Sequence, residues 1–270
     1  MTDLPIRHIL FPYDFSEQGR QAVPFVAAFA KRFGAQVTLF TVASLEEIAE
    51  TQRILDQSFL DEFQDLSVRR VASCGDPALR IVDFAHNLDV DLVTMPTHGM
   101  GMFRRVLAGS VTSKVLHDVK CPVWTSAHTE RQCAAVAPRT VLCAVDACTE
   151  GVAVLQYAAL LSRALHASLK VLHVVEPVTD WASLGSEHAL QEDAREIAAQ
   201  AVASMLESAG VDAESKVVVG QIVGRATEAA REERADLLVV GRGVLASPFG
   251  RIRTHAFGII EQSPCPVLSV

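Results

Sequence analysis

Two groups of residues in this chain could do chemistry together. The first is Asp14, which follows the apolar run Ile9-Leu-Phe-Pro12-Tyr13 and precedes Phe15-Ser16-Glu17. The second lies between Asp91 and Val123. A short apolar run, Leu92 to Met95, leads into Pro96-x2-Gly99-x9-Gly109-Ser110, and Val111, Val115, Leu116 and Val119 follow at helical spacing. Glycine lets backbone approach a ligand closely, and the unpaired N–H groups of a helix start attract anions. Strand, glycine loop and helix start in that order make a phosphate cradle. The same order also describes an ordinary strand–loop–helix connection, and local spacing leaves both readings open. Asp14 has its own structural alternative, as a helix N-cap with Glu17 completing a capping box. His98 has no carboxylate near it in sequence to make it an acid–base catalyst, and Arg104 and Arg105 are placed towards solvent.

These groups need a scaffold, and the chain supplies an alternating one. After Asp14 a helical pattern runs through Ala22, Val26, Phe29 and Ala30 to Gly34, and Val37–Val42 is a continuous β-rich run. A charged helical segment is expected over Leu45–Phe63 and a strand over Val68–Ser73. The turn Gly75-Asp76-Pro77 then leads into a helix over Ala78–Asn87, and Pro122–Ser126 forms a fifth strand. Continuous apolar strands separated by helices predict parallel pairing with right-handed crossovers. Ligands of such doubly wound sheets sit outside the carboxyl ends of the strands, where strand order reverses, and both Asp14 and the loop after Met95 fall at such ends.

The second half repeats the first. Ile9–Asp14 matches Val141–Asp146, and the same offset of 132 carries Val37–Val42 onto Leu169–Val174. Gly75 pairs with Gly220 and Asp91 with Asp236 at an offset of 145, because the middle segment Glu176–Gly210 is longer. Cys121-Pro-Val pairs with Cys265-Pro-Val at 144, after one residue is lost from the second glycine loop. The chain therefore divides into a first domain over 1–127, a linker over 128–138 and a second domain over 139–270.

Composition sets outer bounds. The net charge of −8 over 270 residues argues against general affinity for nucleic acid or anionic membranes, which need concentrated positive charge. No apolar run approaches the roughly 20 residues that span a bilayer, the first residues lack a signal-peptide pattern, and a cytoplasmic location is expected. Six cysteines without a Cys-x-x-Cys pair predict reduced thiols rather than a metal site or a disulfide framework.

The motifs together resemble the universal stress protein family, in tandem. The carriers are the strand-one Asp14, the spaced Gly99, Gly109 and Ser110, and Cys121-Pro122-Val123, with the repeat extending the likeness over nearly the whole chain. The resemblance implies two doubly wound α/β domains, each a five-stranded parallel sheet of order 3-2-1-4-5 with helices on both faces. It also implies a stress-response regulatory protein that binds ATP or another adenine nucleotide, with or without Mg2+, mainly in the first domain. Carried over by position, Pro12, Tyr13 and Asp14 border the adenosine with Val42, while Met95, Pro96, Thr97 and Gly99 lie along the ribose and first phosphate. Gly109, Ser110 and Val111 then offer donors to the phosphates. Pro96 departs from the glycine usual there and removes an N–H. Asp146, Val174 and Gly241 are the second-domain counterparts, but Arg253 and Thr254 replace Gly109 and Ser110. Family members associate through their last strands, so an internal pseudo-dimer pairing Pro122–Ser126 with Pro266–Val270 is expected, with homodimers of the whole chain compatible. Two further function classes stay open: a slow ATP-hydrolysing enzyme, for which no base–nucleophile set is evident, and a nucleotide-free interaction scaffold.

Overall fold

Strands buried on both faces read as unbroken apolar runs, and here they form the centre of two parallel sheets. The computed structural model describes residues 4, 6–96, 110–126, 138–177, 187–242 and 251–270, and the chain divides principally into units spanning 5–137 and 138–268. In the first unit β1 (His8–Pro12), β2 (Gln36–Ala43), β3 (Val68–Cys74), β4 (Leu92–Pro96) and β5 (Val123–Ser126) lie in the order β3-β2-β1-β4-β5. Each neighbouring pair is parallel. The connecting helices are α1 (Glu17–Phe33), α2 (Ile48–Asp56), α3 (Pro77–Asn87) and α4 (Ser110–Asp118).

The second unit repeats this with β6 (Thr140–Ala144), α5 (Thr149–Leu165), β7 (Ser168–Val175), α6 (Glu187–Ala209) and β8 (Glu214–Val219). It continues through α7 (Ile222–Glu232), β9 (Leu237–Val240), α8 (Arg251–Gln262) and β10 (Val267–Ser269), with strand order β8-β7-β6-β9-β10. Helices cover both faces of the sheets, as expected of a doubly wound fold. Among the described residues no helix is long and apolar enough to cross a membrane.

The repeat reaches side-chain detail. Asp91 Oδ2 accepts the backbone N–H groups of Arg7 and His8 at 2.8 and 2.9 Å, and Asp236 Oδ2 accepts those of Arg139 and Thr140 at 2.8 and 3.0 Å. Each carboxylate thus ties the approach to one central strand to the start of its neighbour. Arg80 Nε donates to the Cys74 carbonyl at 2.8 Å, and Arg225 Nε does the same to Val219 at 3.0 Å. The sharp turns beneath these arginines need positive φ, which Gly75 (+126°) and Gly220 (+151°) supply. The cores are aliphatic around β1 and β6, and Trp124 stacks on Phe25 with ring centroids 4.2 Å apart.

Two local expectations need correction. The helix expected over Leu45–Phe63 is only α2, Ile48–Asp56; turns follow, and Phe59 sits at φ +56°, outside helical geometry. The helix after β1 is capped by Ser16, whose Oγ accepts the Gly19 N–H at 3.1 Å, so the Asp14–Glu17 capping box does not form. Phe15, at φ +60°, inserts a left-handed step between Asp14 and the helix, which moves the capping position two residues on. The linker expected over 128–138 lies outside the described residues up to position 137.

Candidate functional site

Parallel pairing brings the carboxyl ends of β1, β2 and β4 to one end of the first sheet, where strand order reverses between β1 and β4. There the Tyr13 N–H donates to the Phe40 carbonyl at 2.7 Å, carrying the chain past β1 along β2. The Tyr13 ring is buried against Phe11, Phe15 and Phe59, and burial holds its hydroxyl above the ordinary phenol range. Asp14, the next residue, is exposed; its Oδ1 accepts the Ser16 N–H at 3.0 Å. The first turn of α1 packs directly beneath. A Cβ on Gly19 would lie 2.9 Å from the Tyr13 ring and 3.3 Å from Asp14 Oδ1. The carboxylate is therefore held in place by a local hydrogen bond and a close-packed helix start, with its outer face towards solvent.

Below Asp14 the ladder between β1 and β4 is ended by proline on both sides. N–H groups alternate in direction along a strand. Because Tyr13 donates towards β2, the N–H facing β4 belongs to position 12, which is proline. Val93 donates to Pro122 next to β5, so the N–H of β4 that faces β1 at its end belongs to position 96, also proline. Neither strand can extend the ladder there, and the β1–β4 register stops at Ile9–Leu92 and Leu10–Val93. In the second unit the same positions are Ala144 and Gly241, and the β6–β9 register runs through four pairs to Ala144–Val240.

The remaining first-unit candidates fall as follows. Val42 is half-buried near the end of β2, Met95 is buried and Pro96 half-buried at the end of β4. Ser110 opens α4 and Val111 sits half-buried in its first turn, so that helix begins where the phosphate donors were expected. Thr97, Gly99 and Gly109, with His98, Arg104 and Arg105, lie outside the described residues.

In the second unit a cavity of about 930 Å³ opens at the corresponding end of the sheet. Asp146, Val174 and Gly241, the three candidates there, all line it. It also draws in residues that the sequence reading did not single out, Cys148, Glu150, Glu176, Arg242 and His255. Cys148 stands where the first unit has Ser16, and His255 where it has Val111, so residue-by-residue comparison of the copies is the signal that locates them. Cys148 caps α5 without a side-chain hydrogen bond to the helix. Burial raises its thiol above the ordinary range, against the Gly151 N–H that pulls it down. Gly151 is required here: a Cβ would lie 2.0 Å from the Asp146 carbonyl oxygen.

Comparison with known proteins agrees with this geometry. The profile of the universal stress protein family matches residues 5–52, 43–126 and 138–270. A universal stress protein of Synechocystis sp. is 28% identical over 130 residues, 43% of this chain and 82% of its own length. Two solved structures share the fold over 99% of the chain. One is a universal stress protein from Archaeoglobus fulgidus, with 20% identity, TM-score 0.71 and 97% of that chain covered. The other is a functionally unknown protein from Pseudomonas aeruginosa, with 15% identity, TM-score 0.75 and 93% covered.

Proposed function

Because this chain belongs to the universal stress protein family, we propose that it is a stress-response regulatory protein that holds ATP or a related adenine nucleotide in its first unit. One observation carries the reading. Asp14 presents an exposed carboxylate above a seam where β1 and β4 part after two residue pairs, at the end of the sheet where α4 begins. A carboxylate there accepts hydrogen bonds from ribose hydroxyls, the parted seam admits a flat base, and the start of α4 offers N–H groups to phosphate. Val42, Met95 and Pro96 border the same end from β2 and β4, and Thr97, Gly99, Gly109 and Ser110 complete the cradle within this proposal. Magnesium, where present, arrives with the phosphates. The protein acts by binding rather than by turnover, in a cytoplasmic setting.

The test is direct. Purified protein is denatured, the supernatant is run on anion exchange, and adenine absorbance is compared with protein concentration; calorimetry with millimolar Mg-ATP covers protein that has lost its ligand. Stoichiometric nucleotide or saturable binding supports the reading, and neither being found rejects it. A second reading, a nucleotide-free interaction scaffold, is favoured by Pro96, which removes a donor facing the seam. Pro96→Gly separates the two. In a nucleotide protein it restores that N–H and tightens ATP binding by about fivefold, the yield of one hydrogen bond; in a scaffold it changes nothing. The internal pairing of the last strands and a homodimer belong to the same proposal, to be checked by solution mass and cross-linking.

A further inference from the structure

The second unit's cavity differs in chemistry from a nucleotide cradle. Its volume of about 930 Å³ lies within the range that encloses a drug-sized molecule. Its walls are largely aliphatic, formed by Val145, Val154, Leu172, Val174, Ile222 and Ile259. No aromatic ring is among the described lining residues. Among the described residues three carboxylates, Asp146, Glu150 and Glu176, stand against one guanidinium, Arg242, with His255 and Cys148 as the remaining polar side chains.

One backbone donor that an anion could use there is committed elsewhere. The Arg242 N–H, at the position of Thr97 in the first unit, donates to the Val270 carbonyl at 2.9 Å. The β6–β9 ladder is paired through Ala144–Val240, so the seam that is open in the first unit is closed here. An apolar body is welcome in such a cavity, while an added negative charge meets three exposed carboxylates among its lining residues.

We infer that this cavity is a binding site for an apolar small molecule that is neutral or cationic, and that it discriminates against anionic ligands, nucleotides included. The two units of the chain thereby take ligands of different classes. The inference uses the family assignment only to align the copies, and it does not depend on nucleotide binding in the first unit.

The test uses two fluorescent probes that share one skeleton. N-phenyl-1-naphthylamine is neutral; 8-anilino-1-naphthalenesulfonate carries an added sulfonate. Titrated into the full-length chain, the neutral probe should saturate at one per chain and the sulfonate should bind at least about tenfold more weakly, as expected for a charge facing several like charges. Val154→Trp, which fills the cavity, should abolish binding of the neutral probe, and Val154→Ile should keep it. Ile222→Trp on the facing wall serves the same purpose if Val154→Trp does not fold. Changing Asp146 and Glu176 together to lysine should bring the sulfonate to within about twofold of the neutral probe.

Failure of the neutral probe to saturate overturns the inference. So does unchanged binding after the cavity is filled, or displacement of the probe by ATP in the Asp14→Ala background. Nucleotide affinity, read separately by calorimetry, should not move in Val154→Trp. Failure of the first-unit reading would therefore appear as loss of ATP binding with probe binding intact, and failure of this one as the reverse.

Discussion

The two units keep the same frame and part company at one end of it. Asp91 and Asp236 make the same pair of hydrogen bonds, and Arg80 and Arg225 reach equivalent carbonyls. At the carboxyl ends of the strands Asp14 and Val42 recur as Asp146 and Val174, but other positions differ. Pro12 and Pro96 face Ala144 and Gly241, Ser16 faces Cys148, and Val111 faces His255. Two copies of one frame with unlike open ends show that the frame carries stability while the open end is free to take on separate chemistry.

The largest effect that would sharpen this contrast is steric. Gly151→Ala places a Cβ 2.0 Å from a backbone oxygen, whereas Gly19→Ala meets the edge of the Tyr13 ring at 2.9 Å. Backbone cannot step aside as a ring can. The second-unit variant should lose about 4 kcal/mol and the first-unit variant about 1 kcal/mol in urea unfolding followed by peptide-resolved hydrogen exchange. Equal losses would mean that the two helix starts are packed alike after all.

Next comes ligand affinity. Asp14→Ala should weaken ATP binding by about 100-fold, the scale of a lost charged hydrogen-bond acceptor, while Asp146→Ala leaves it unchanged in the same calorimetric titration. Comparable losses from both would place nucleotide in both units.

Alkaline pH separates the units by a third route. Burial pushes the thiol of Cys143 up to about 12 and that of Cys265 up to about 11, from an ordinary 9.0. Above pH 9 the unfolded chain loses these protons while the folded second unit keeps them, so folding stability falls as pH rises, until the folded thiols ionise as well. The slope is about 1.4 kcal/mol per pH unit for each thiol. The first unit has Phe11 in place of Cys143, and its Cys121 is only half-buried. Exchange protection in the second unit should therefore drop by about 2–3 kcal/mol between pH 9 and 10, relative to the first. Replacing Cys143 and Cys265 by valine should flatten the difference.

The smallest effect lies in the caps. α1 ends at Gly34 with φ +63°, but α5 ends at His166 with φ +55°, a conformation that a side chain resists. His166→Gly should stabilise the second unit by about 1 kcal/mol, and Cys148→Ser, which restores a capping hydroxyl, by about 0.5–1 kcal/mol. Urea midpoints that stay in place in both variants would show that these ends are already satisfied.

Much of the frame was legible in the residues. The strands announce themselves as apolar runs, and the repeat doubles the evidence for each. What misled was local. Asp14 and Ser16 are both good capping residues, and only the left-handed Phe15 decides between them. The helix pattern over Leu45–Phe63 was broken by the geometry at Phe59, which periodicity does not register. For the candidate site, the residues place Asp14 and the end of β4 at the same end of the sheet, beside the switch point, and the structure has both at that end. In the second-unit cavity the repeat points to Asp146, Val174 and Gly241, but the aliphatic walls were not legible, because they come from residues scattered between Ala144 and Val270, each of which reads as core. Prolines 12 and 96 were each visible alone; that both withhold an N–H from the same seam follows only from the register.

The carboxylate clasps also bear on the order in which the protein can be made. β1 leaves the ribosome before the other strands of its unit, but the clasp that secures its approach is Asp91, 84 residues from Arg7, and its neighbour β4 follows directly after. The central strand of the sheet must wait, paired on one side at most, until most of its unit has been synthesised. The second unit repeats the delay over 97 residues, from Arg139 to Asp236. A nascent chain of this design leaves a central, buried strand with one side unpaired, so each unit passes through an interval in which its own β1 or β6 is an open edge for other chains.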